Sequence, residues 1–418
     1  MTAEPLAIEV ELSRQALVAQ PEGQLVYLLL RLHAPQGGQS QRRPLNLSLV
    51  IDRSTSMAGG RLQAVKEAAL AIIEHLTPED VLSLVTFSDR ADVLWPAGRL
   101  QNRSGLQNRI RTINTSGGTE IYPALTAAVE EMGRLPLDAY TNHLVLLTDG
   151  NTYGDTKECL KLASEAAERG IDISAFGIGS DWNDQFLDRL AGFSGGQSAH
   201  IGAPSQVMES LRWRVDGLSA TYAHSLQWID DFPPNVAVKA AFKVAPFAQA
   251  LALEGQNCRM GPLETRTPLA VLLELLVEAP EAGTHVTLPF RIQADIPSRR
   301  ISKHLFGREA QLEVVAQAAD ELPPKSVAEA VRALTLYRLN ERAWQEVEQG
   351  GLGAATVHLT HLSERLDEVG QAALAAQARA EKERLLSRGE LSAEGRKGLK
   401  YGTRALMTGS MAPPEDLA

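Results

Sequence analysis

The chain has 418 residues, of which 44% are hydrophobic and 22% charged, and its net charge is −10. This composition is typical of folded globular protein and predicts two to four domains. The acidic balance argues against bulk binding to nucleic acid or to an anionic membrane, because both need a basic surface. The two cysteines, Cys159 and Cys258, exclude a disulfide scaffold and a cysteine-based zinc site, and they fit a reducing cytosol.

Residues 1–43 carry two strand signals and no targeting signal. Residues 7–12 alternate apolar and charged side chains, as a half-buried strand does, and residues 24–32 form a second, more apolar run. Glu4 stands where a secretory signal would be basic, and no apolar segment of signal-peptide length follows it. We therefore expect a cytoplasmic protein that does not enter the membrane. Residues 35–44 are a polar stretch punctuated by Gly and Pro, which is typical of a linker.

Residues 44–218 alternate between strand and helix patterns. This alternation predicts a doubly wound α/β domain whose sheet is mostly parallel and is covered by helices on both faces. The predicted strands are 45–51, 81–87, 143–148, 171–176 and 199–201, and the predicted helices are 60–76, 122–132, 156–169, 183–191 and 205–217.

Residues 219–320 change to an all-β pattern. Short apolar runs at 235–245, 267–277 and 284–293 are separated by Pro, Gly and Asn, which is typical of a β-sandwich. Two strands alone are marginally stable, so the strands of residues 1–43 need partners and most simply complete this sandwich. The α/β domain is then an insertion into a discontinuous β-sandwich.

The remaining chain is predicted to be helical and then exposed. Residues 321–398 fit a bundle of three helices at 326–348, 354–368 and 372–387, joined by short connections. Residues 399–418 are predicted to form an exposed tail. Thr403 lies there between Lys400 and Arg404, with Leu406 three positions later, so it is a candidate phosphorylation site read by an arginine-rich partner.

Oxygen-bearing side chains cluster after two of the predicted strands. Asp52, Ser54 and Ser56 follow the first strand of the α/β domain, and Asp149 follows the strand 143–148. Thr119 ends the segment Ser-Gly-Gly-Thr before the helix at 122–132. Ligands bind at the carboxyl ends of strands in open α/β sheets. Hard oxygen donors favour Mg²⁺, Mn²⁺ or Ca²⁺ over zinc.

These motifs resemble the metal-ion-dependent adhesion site of von Willebrand factor type A domains. The resemblance covers about residues 44–203 and includes 60–66, 85–88 and 176–179 as supporting segments. It implies that Ser54, Ser56 and Thr119 are direct ligands of a divalent cation, and that Asp52 and Asp149 act largely through bound water. It also implies a non-enzymatic interaction module whose metal binds an Asp or Glu carboxylate of a partner protein. Similar bacterial proteins act as adaptors beside AAA+ ATPases, Ser/Thr kinases or phosphatases.

Other interpretations of the same residues remain open at this point. The Ser and Thr hydroxyls of the motifs can cap helices and shape turns without a metal. Arg53 stands beside the proposed ion, where it lowers metal affinity or attracts an acidic partner. A third possibility is a structural subunit whose site is occupied by its own acidic tail, at Glu415 or Asp416.

An enzyme of the hydrolase or phosphotransferase class is the alternative from a different functional class. It would require a general base near the ion, and the domain's three histidines, His75, His143 and His200, are predicted to lie away from that edge. Ser194 fits a G-x-S-x-G motif, but a helix precedes it where a strand is required. An aspartyl-phosphate mechanism at Asp52 usually has a second Asp two residues later, and this chain has Ser54 there. His358 and His361 share a helix face without further ligands nearby in sequence and are interpreted as surface residues.

Overall fold

The structure of the protein is a computed structural model that describes residues 4–35, 43–150, 152, 154–253, 257–279, 281–317 and 321–409. Three strands come first along the chain. They are β1 (Ala7–Leu12), β2 (Ala16–Val18) and β3 (Gln20–His33).

Strands and helices then alternate, as the sequence predicts. The elements are β4 (Leu45–Asp52), α1 (Gly60–His75), β5 (Val81–Phe87), β6 (Ala91–Arg99), α2 (Arg103–Arg111), α3 (Ile121–Met132), β7 (Thr141–Thr148), α4 (Thr156–Glu168), β8 (Ile171–Ile178), α5 (Asp184–Gly192), β9 (Ser198–Ile201) and α6 (Val207–Ser219). They form one six-stranded sheet in the order β6-β5-β4-β7-β8-β9. Every neighbouring pair is parallel except β5 and β6. The predicted α/β fold is confirmed.

Helices cover both faces of this sheet, so its central strands are buried along their whole length. All eight residues of β4 and all eight of β7 are buried. Because both faces of such strands are buried, the sequences of parallel strands are nearly continuous apolar runs. Strand β6 and helix α2 were not predicted. Strand β6 is a half-buried edge strand that contains Pro96, so it lacks both the apolar run and the strict alternation that mark a strand.

The chain returns to antiparallel strands after α6. They are β10 (Thr221–Asp230), β11 (Val236–Ala245), β12 (Gln249–Ala250), β13 (Asn257–Glu264), β14 (Leu269–Ala279), β15 (His285–Ile296) and β16 (Ile301–Val315). Two five-stranded sheets result, in the orders β1-β3-β14-β11-β12 and β13-β10-β15-β16-β2. The amino-terminal strands thus belong to both sheets of the sandwich, and the α/β unit is inserted between them and the rest. Apolar side chains from both sheets share one core.

The described residues after 321 form four helices where the sequence predicts three. They are α7 (Lys325–Glu348), α8 (Leu352–Glu368), α9 (Ala372–Arg388) and α10 (Ala393–Gly409). Among the described residues, no helix is both long and apolar enough to cross a bilayer.

The prediction of an exposed tail from residue 399 is wrong for residues 399–409. These residues are part of α10, and Leu399 and Met407 are buried. The sequence pattern did not predict this helix, because basic residues also face inward on it. The usual contrast between an apolar and a charged helix face is therefore missing. The final residues, with Glu415 and Asp416, lie outside the described part of the chain.

Ion pairs attach α10 to α5 of the α/β domain. Arg404 donates two hydrogen bonds to the Asp188 carboxylate, at 2.8 and 2.5 Å. Lys400 is 2.8 Å from the same carboxylate and also bonds Asp184. All four side chains are buried. Burial alone would raise the pKa of Asp188, but Arg404 and Lys400 outweigh it and lower that pKa to about 2.

The phosphorylation hypothesis for Thr403 is overturned by the same packing. Thr403 is completely buried, and its hydroxyl donates to the backbone carbonyls of Leu399 and Lys400 at 2.8 and 3.0 Å. A kinase requires an accessible hydroxyl, which this position does not offer in the folded protein.

Asp188→Asn is expected to lower the free energy of unfolding by roughly 3–5 kcal/mol, because it leaves the buried guanidinium of Arg404 without a charged partner. The native pKa of about 2 lies below the value of about 3.9 for an unfolded Asp. The unfolded state therefore binds more protons between these values, and the stabilisation is lost as the pH falls through that window. Urea unfolding measured from pH 7 to pH 2 checks both effects.

The matched control for Asp188→Asn is Asp367→Asn, whose pair with Arg379 is about half exposed. This control should change stability by less than about 1 kcal/mol. Equal effects of the two substitutions would show that the buried cluster does not stabilise the attachment of α10.

Candidate metal centre

The five predicted site residues meet at the carboxyl edge of the six-stranded sheet. Asp52 is the last residue of β4, and Asp149 directly follows β7, which is the parallel neighbour of β4. Strands that run in parallel end at the same edge, so the loops that follow them are adjacent. Ser54 and Ser56 lie in the loop after β4, and Thr119 lies just before α3.

Asp52 connects the loop after β4 to the end of β7 through hydrogen bonds. Its side chain is fully buried, with Oδ1 accepting from the backbone N–H of Ser54 at 2.8 Å and Oδ2 accepting from the hydroxyl of Thr148 at 2.6 Å. Burial raises the pKa of Asp52, while the hydrogen bonds from Ser54 and Thr148 act in the opposite direction. Both carboxylate oxygens are thus engaged, and the loop after β4 is tied to the end of β7.

The hydroxyl groups of the first motif face Asp149. Ser54 Oγ is 3.0 Å from Ser56 Oγ, and Ser56 Oγ donates to Asp149 Oδ1 at 2.6 Å. Ser54 and Asp149 are almost completely buried. Three oxygen donors from two separate loops therefore form one short chain of contacts.

Thr119 lies close to these oxygen donors and is carried by a third loop. A methyl group placed on Gly150 would lie 3.0 Å from Thr119 Oγ1, so the hydroxyl packs against the loop that carries Asp149. The N–H of Thr55 donates to the carbonyl of Gly117 at 3.1 Å, which joins the Thr119 loop to the first motif. Gly117 has φ +72°, and a side chain there would collide with Asp89, so this approach requires glycine.

The capping interpretation of these hydroxyls does not fit the structure. Ser54 precedes a short 3₁₀ turn, yet its side chain makes no capping hydrogen bond there. Helix α3 begins after Glu120 rather than Thr119, and its first N–H groups, on Ile121 and Tyr122, donate to Thr152 and Asp155. The Ser54 and Thr119 hydroxyls therefore do not cap the helices that follow them.

The cation next to the site is Arg61 rather than Arg53. Arg53 turns away and bonds Ser116 Oγ and Asp92 Oδ2, the latter at 2.9 Å. Arg61, in the first turn of α1, donates to Asp149 Oδ2 at 2.5 Å and to the carbonyl of Ser56 at 3.3 Å. In the sequence, residues 60–66 are only a supporting segment of the resemblance. The sequence signal for Arg61 is a basic residue in the first turn of the helix that follows the Asp-x-Ser-x-Ser loop.

The candidate catalytic groups of the enzyme alternative have other contacts. His143 is fully buried with Nε2 3.0 Å from Ser174 Oγ, and burial lowers its pKa well below the usual range. His75 Nδ1 is 2.9 Å from the carbonyl of Ala71, and His200 lies on the edge strand β9. Ser194 Oγ accepts from the N–H of Ile173 at 2.8 Å and is buried, which is a structural role.

The donor set fits a hard cation. Within the described ranges, no group of three or more His, Cys, Asp or Glu side chains is placed to hold a metal. The candidate centre contains two such residues, Asp52 and Asp149, and its other three donors are neutral hydroxyls. An all-oxygen set of this kind suits Mg²⁺, Mn²⁺ or Ca²⁺.

Comparisons with known proteins agree with this fold. A family model of the von Willebrand factor type A domain matches residues 46–210, and a model of the Sll0103-like, C-terminal alpha-helical domain matches residues 325–409. Protein sll0103 of Synechocystis sp. is 30% identical over 342 residues, which cover 79% of this chain and 80% of that protein. Human inter-alpha-trypsin inhibitor heavy chain H4 is 31% identical over 180 residues, which cover 40% of this chain and 19% of that protein.

Two solved structures show the same architecture across the chain. A von Willebrand factor type A protein from Catenulispora acidiphila has a TM-score of 0.76 at 16% identity and covers 96% of each chain. The ArnB paralog VWA2 from Sulfolobus acidocaldarius has a TM-score of 0.61 at 17% identity and covers 97% of this chain and 99% of its own. At these identities the likeness concerns the fold alone.

The fold and the residues at the sheet edge define a protein with a von Willebrand factor type A domain, a class of protein-interaction module. The chain belongs to the Sll0103-like family of such proteins, which add a carboxyl-terminal helical domain.

Thr148→Val is expected to lower the free energy of unfolding by about 1–3 kcal/mol, because it leaves the buried Asp52 Oδ2 without its donor. The substitution keeps the shape of the side chain, so the change reports the lost hydrogen bonds of the hydroxyl, which also accepts from the N–H of Gly150 at 3.2 Å. Urea unfolding at pH 7 measures it.

Thr126→Val on α3 is the control for Thr148→Val, since its hydroxyl donates to a helix carbonyl at an exposed position. It should change stability by less than about 0.5 kcal/mol. A comparably small effect of Thr148→Val would mean that Asp52 does not depend on this bond.

Proposed function

We propose that the protein binds a partner protein through a divalent cation held by Asp52, Ser54, Ser56, Thr119 and Asp149. The observation that carries the proposal is the convergence of three hydroxyl-bearing residues and Asp149 at one sheet edge, with the Ser54 and Thr119 hydroxyls not used as helix caps. The cation is Mg²⁺, with Mn²⁺ or Ca²⁺ as the other candidates.

The chemistry of the donors favours binding of an acidic partner. In the proposed arrangement, Ser54, Ser56 and Thr119 are direct ligands, and Asp52 and Asp149 act largely through water. Neutral hydroxyl ligands leave the charge of the ion largely uncompensated, so it attracts the carboxylate of an Asp or Glu side chain from the partner. Arg61 strengthens this effect because its guanidinium pairs with Asp149 and offsets the negative charge of that carboxylate.

The same geometry favours binding over catalysis. A hydrolase would need a general base within hydrogen-bonding reach of the reacting water. His75 and His143 contact other polar groups, and His200 packs against the rings of Trp182 and Tyr401. Both oxygens of Asp52 accept hydrogen bonds in a buried setting, which makes Asp52 a poor nucleophile.

The partner classes to test first are AAA+ ATPases and Ser/Thr kinases or phosphatases of the cytoplasm, since similar bacterial proteins act as adaptors beside them. Partner capture from the native host in Mg²⁺ and in EDTA tests the proposal. Capture that is unchanged by EDTA would refute it. The competing case, a site filled by Glu415 or Asp416, concerns residues outside the described chain. Their replacement by Ala would then increase partner capture.

Ser54→Ala/Ser56→Ala is expected to abolish binding of Mg²⁺ and Mn²⁺, because it removes two of the proposed direct ligands. Isothermal titration calorimetry measures the affinity, and circular dichroism checks that the fold persists, since the loop lies above a separate core.

Thr55→Ala is the control for Ser54→Ala/Ser56→Ala in the same loop. Its hydroxyl donates to the carbonyl of Gly117, and it is not a proposed ligand. The control should keep the metal affinity within about threefold, which is below 1 kcal/mol. Wild-type affinity in the double variant would show that the ligands are misassigned.

Arg61→Met is expected to tighten metal binding by about tenfold, because it frees Asp149 Oδ2 and removes a positive charge next to the proposed ion. Arg61→Lys should stay near the wild-type affinity, since it keeps the charge. Calorimetry with Mn²⁺ measures both. Weaker binding in Arg61→Met would mean that Arg61 is needed to orient Asp149 rather than to neutralise it.

A further inference from the structure

A groove with a volume of about 610 Å³ lies between the β-sandwich and the helical domain. Residues 13–27, which include β2 and the start of β3, form one wall, and α7 with Arg365 of α8 forms the other. None of the proposed metal ligands lines it. We call it the arginine-rimmed groove.

The floor of the arginine-rimmed groove is aliphatic. Val18 and Leu25 line it from the sandwich, and Val327 and Val331 line it from α7. Leu25 is 46% exposed, and Val18 and Val331 are half-buried. Apolar side chains left accessible together at one place are typical of an interaction surface.

The rim of the groove is positively charged, although the chain as a whole has a net charge of −10. Arg14, Arg332 and Arg365 line it, against one carboxylate, Glu321. The three arginines are exposed, and none forms an ion pair with a carboxylate in the described part of the chain. Some other arginines of the helical domain are paired, among them Arg338 with Glu274, Arg379 with Asp367, and Arg396 with Glu348.

Addition of a β-strand to this surface is disfavoured. Strand β2 is an edge strand of its sheet, and an edge normally offers free backbone groups. Here the side-chain amide of Gln24 covers the outer edge. Its Oε1 accepts from the N–H of Val18 at 3.1 Å, and its Nε2 donates to the carbonyl of Val18 at 2.8 Å. The groove therefore offers side chains for recognition rather than an open backbone.

We propose that the arginine-rimmed groove binds an amphipathic helical segment of a partner protein that carries acidic residues beside an aliphatic face. The aliphatic face packs on Val18, Leu25 and Val331, and the acidic side chains pair with the arginines of the rim. An apolar centre with a charged rim is the usual anatomy of such an interface, and arginine is enriched among the residues that dominate binding. This site is separate from the proposed metal centre and does not depend on a cation.

The test uses the full chain in EDTA and two fluorescein-labelled synthetic helical peptides. Both peptides have leucines along one face. One has glutamates beside that face, and the other has lysines in their place. Fluorescence anisotropy should show that the glutamate peptide binds at least about tenfold more tightly than the lysine peptide.

Charge reversal at the rim provides the second arm. Arg332→Glu/Arg365→Glu should weaken the glutamate peptide by at least about tenfold and should reverse the preference between the two peptides. The control is Arg342→Glu, an exposed arginine of α7 that does not line the groove, which should leave the affinity unchanged. Leu25→Ser tests the apolar contribution at a groove position that is 46% exposed, and it should also weaken binding of the glutamate peptide.

Three results would overturn the proposal. The first is equal or absent binding of the two peptides. The second is an affinity for the glutamate peptide that Arg332→Glu/Arg365→Glu does not change. The third is a dimer in sedimentation velocity that the same double variant dissociates, because that would assign the groove to a second copy of the chain. Each is independent of the metal centre, since EDTA is present throughout.

Discussion

The buried carboxylate of Asp52 holds the carboxyl edge of the central sheet together. A charged group with no exposure to water must have its oxygens satisfied, and here the partners are the backbone of Ser54 and the hydroxyl of Thr148. The first partner shapes the loop that presents Ser54 and Ser56. The second joins that loop to the end of β7, where Asp149 follows. The geometry of the candidate centre is thus a consequence of solvating one buried charge with protein groups.

A second set of buried charges connects the carboxyl-terminal helices to the α/β domain. Arg404 and Lys400 on α10 meet Asp188 and Asp184 on α5, and all four side chains are buried. Lys397 also donates to the carbonyl of Ser180, in the loop after β8. Such contacts add little where they are exposed, but they become specific when buried, because a displaced helix would leave uncompensated charges. The helical domain is therefore attached in one defined orientation.

The two proposed interaction surfaces would bind their partners through different kinds of interaction. The metal centre offers a concentrated charge and neutral ligands, which suits a single carboxylate. The arginine-rimmed groove offers aliphatic area with cations at its border, which suits a longer amphipathic segment. One partner that presents both features, or two partners bound together, would make the chain a connector. This role is consistent with a fold in which buried contacts attach the helical domain to both the β-sandwich and the α/β domain.

The sequence by itself determined the α/β fold, its insertion into a sandwich, and the five residues of the candidate centre. Those features depend on local periodicity and on the rule that parallel strands end at one edge, so Asp52 and Asp149 could be brought together without coordinates. The tertiary structure alone decided that Arg61 rather than Arg53 faces Asp149, because the direction of a long side chain depends on its neighbours. It also decided that residues 399–409 form a docked helix. Their inward-facing Lys400 and Arg404 are compensated by Asp188, which for Arg404 lies 216 positions earlier in the chain, and no local pattern records that partnership.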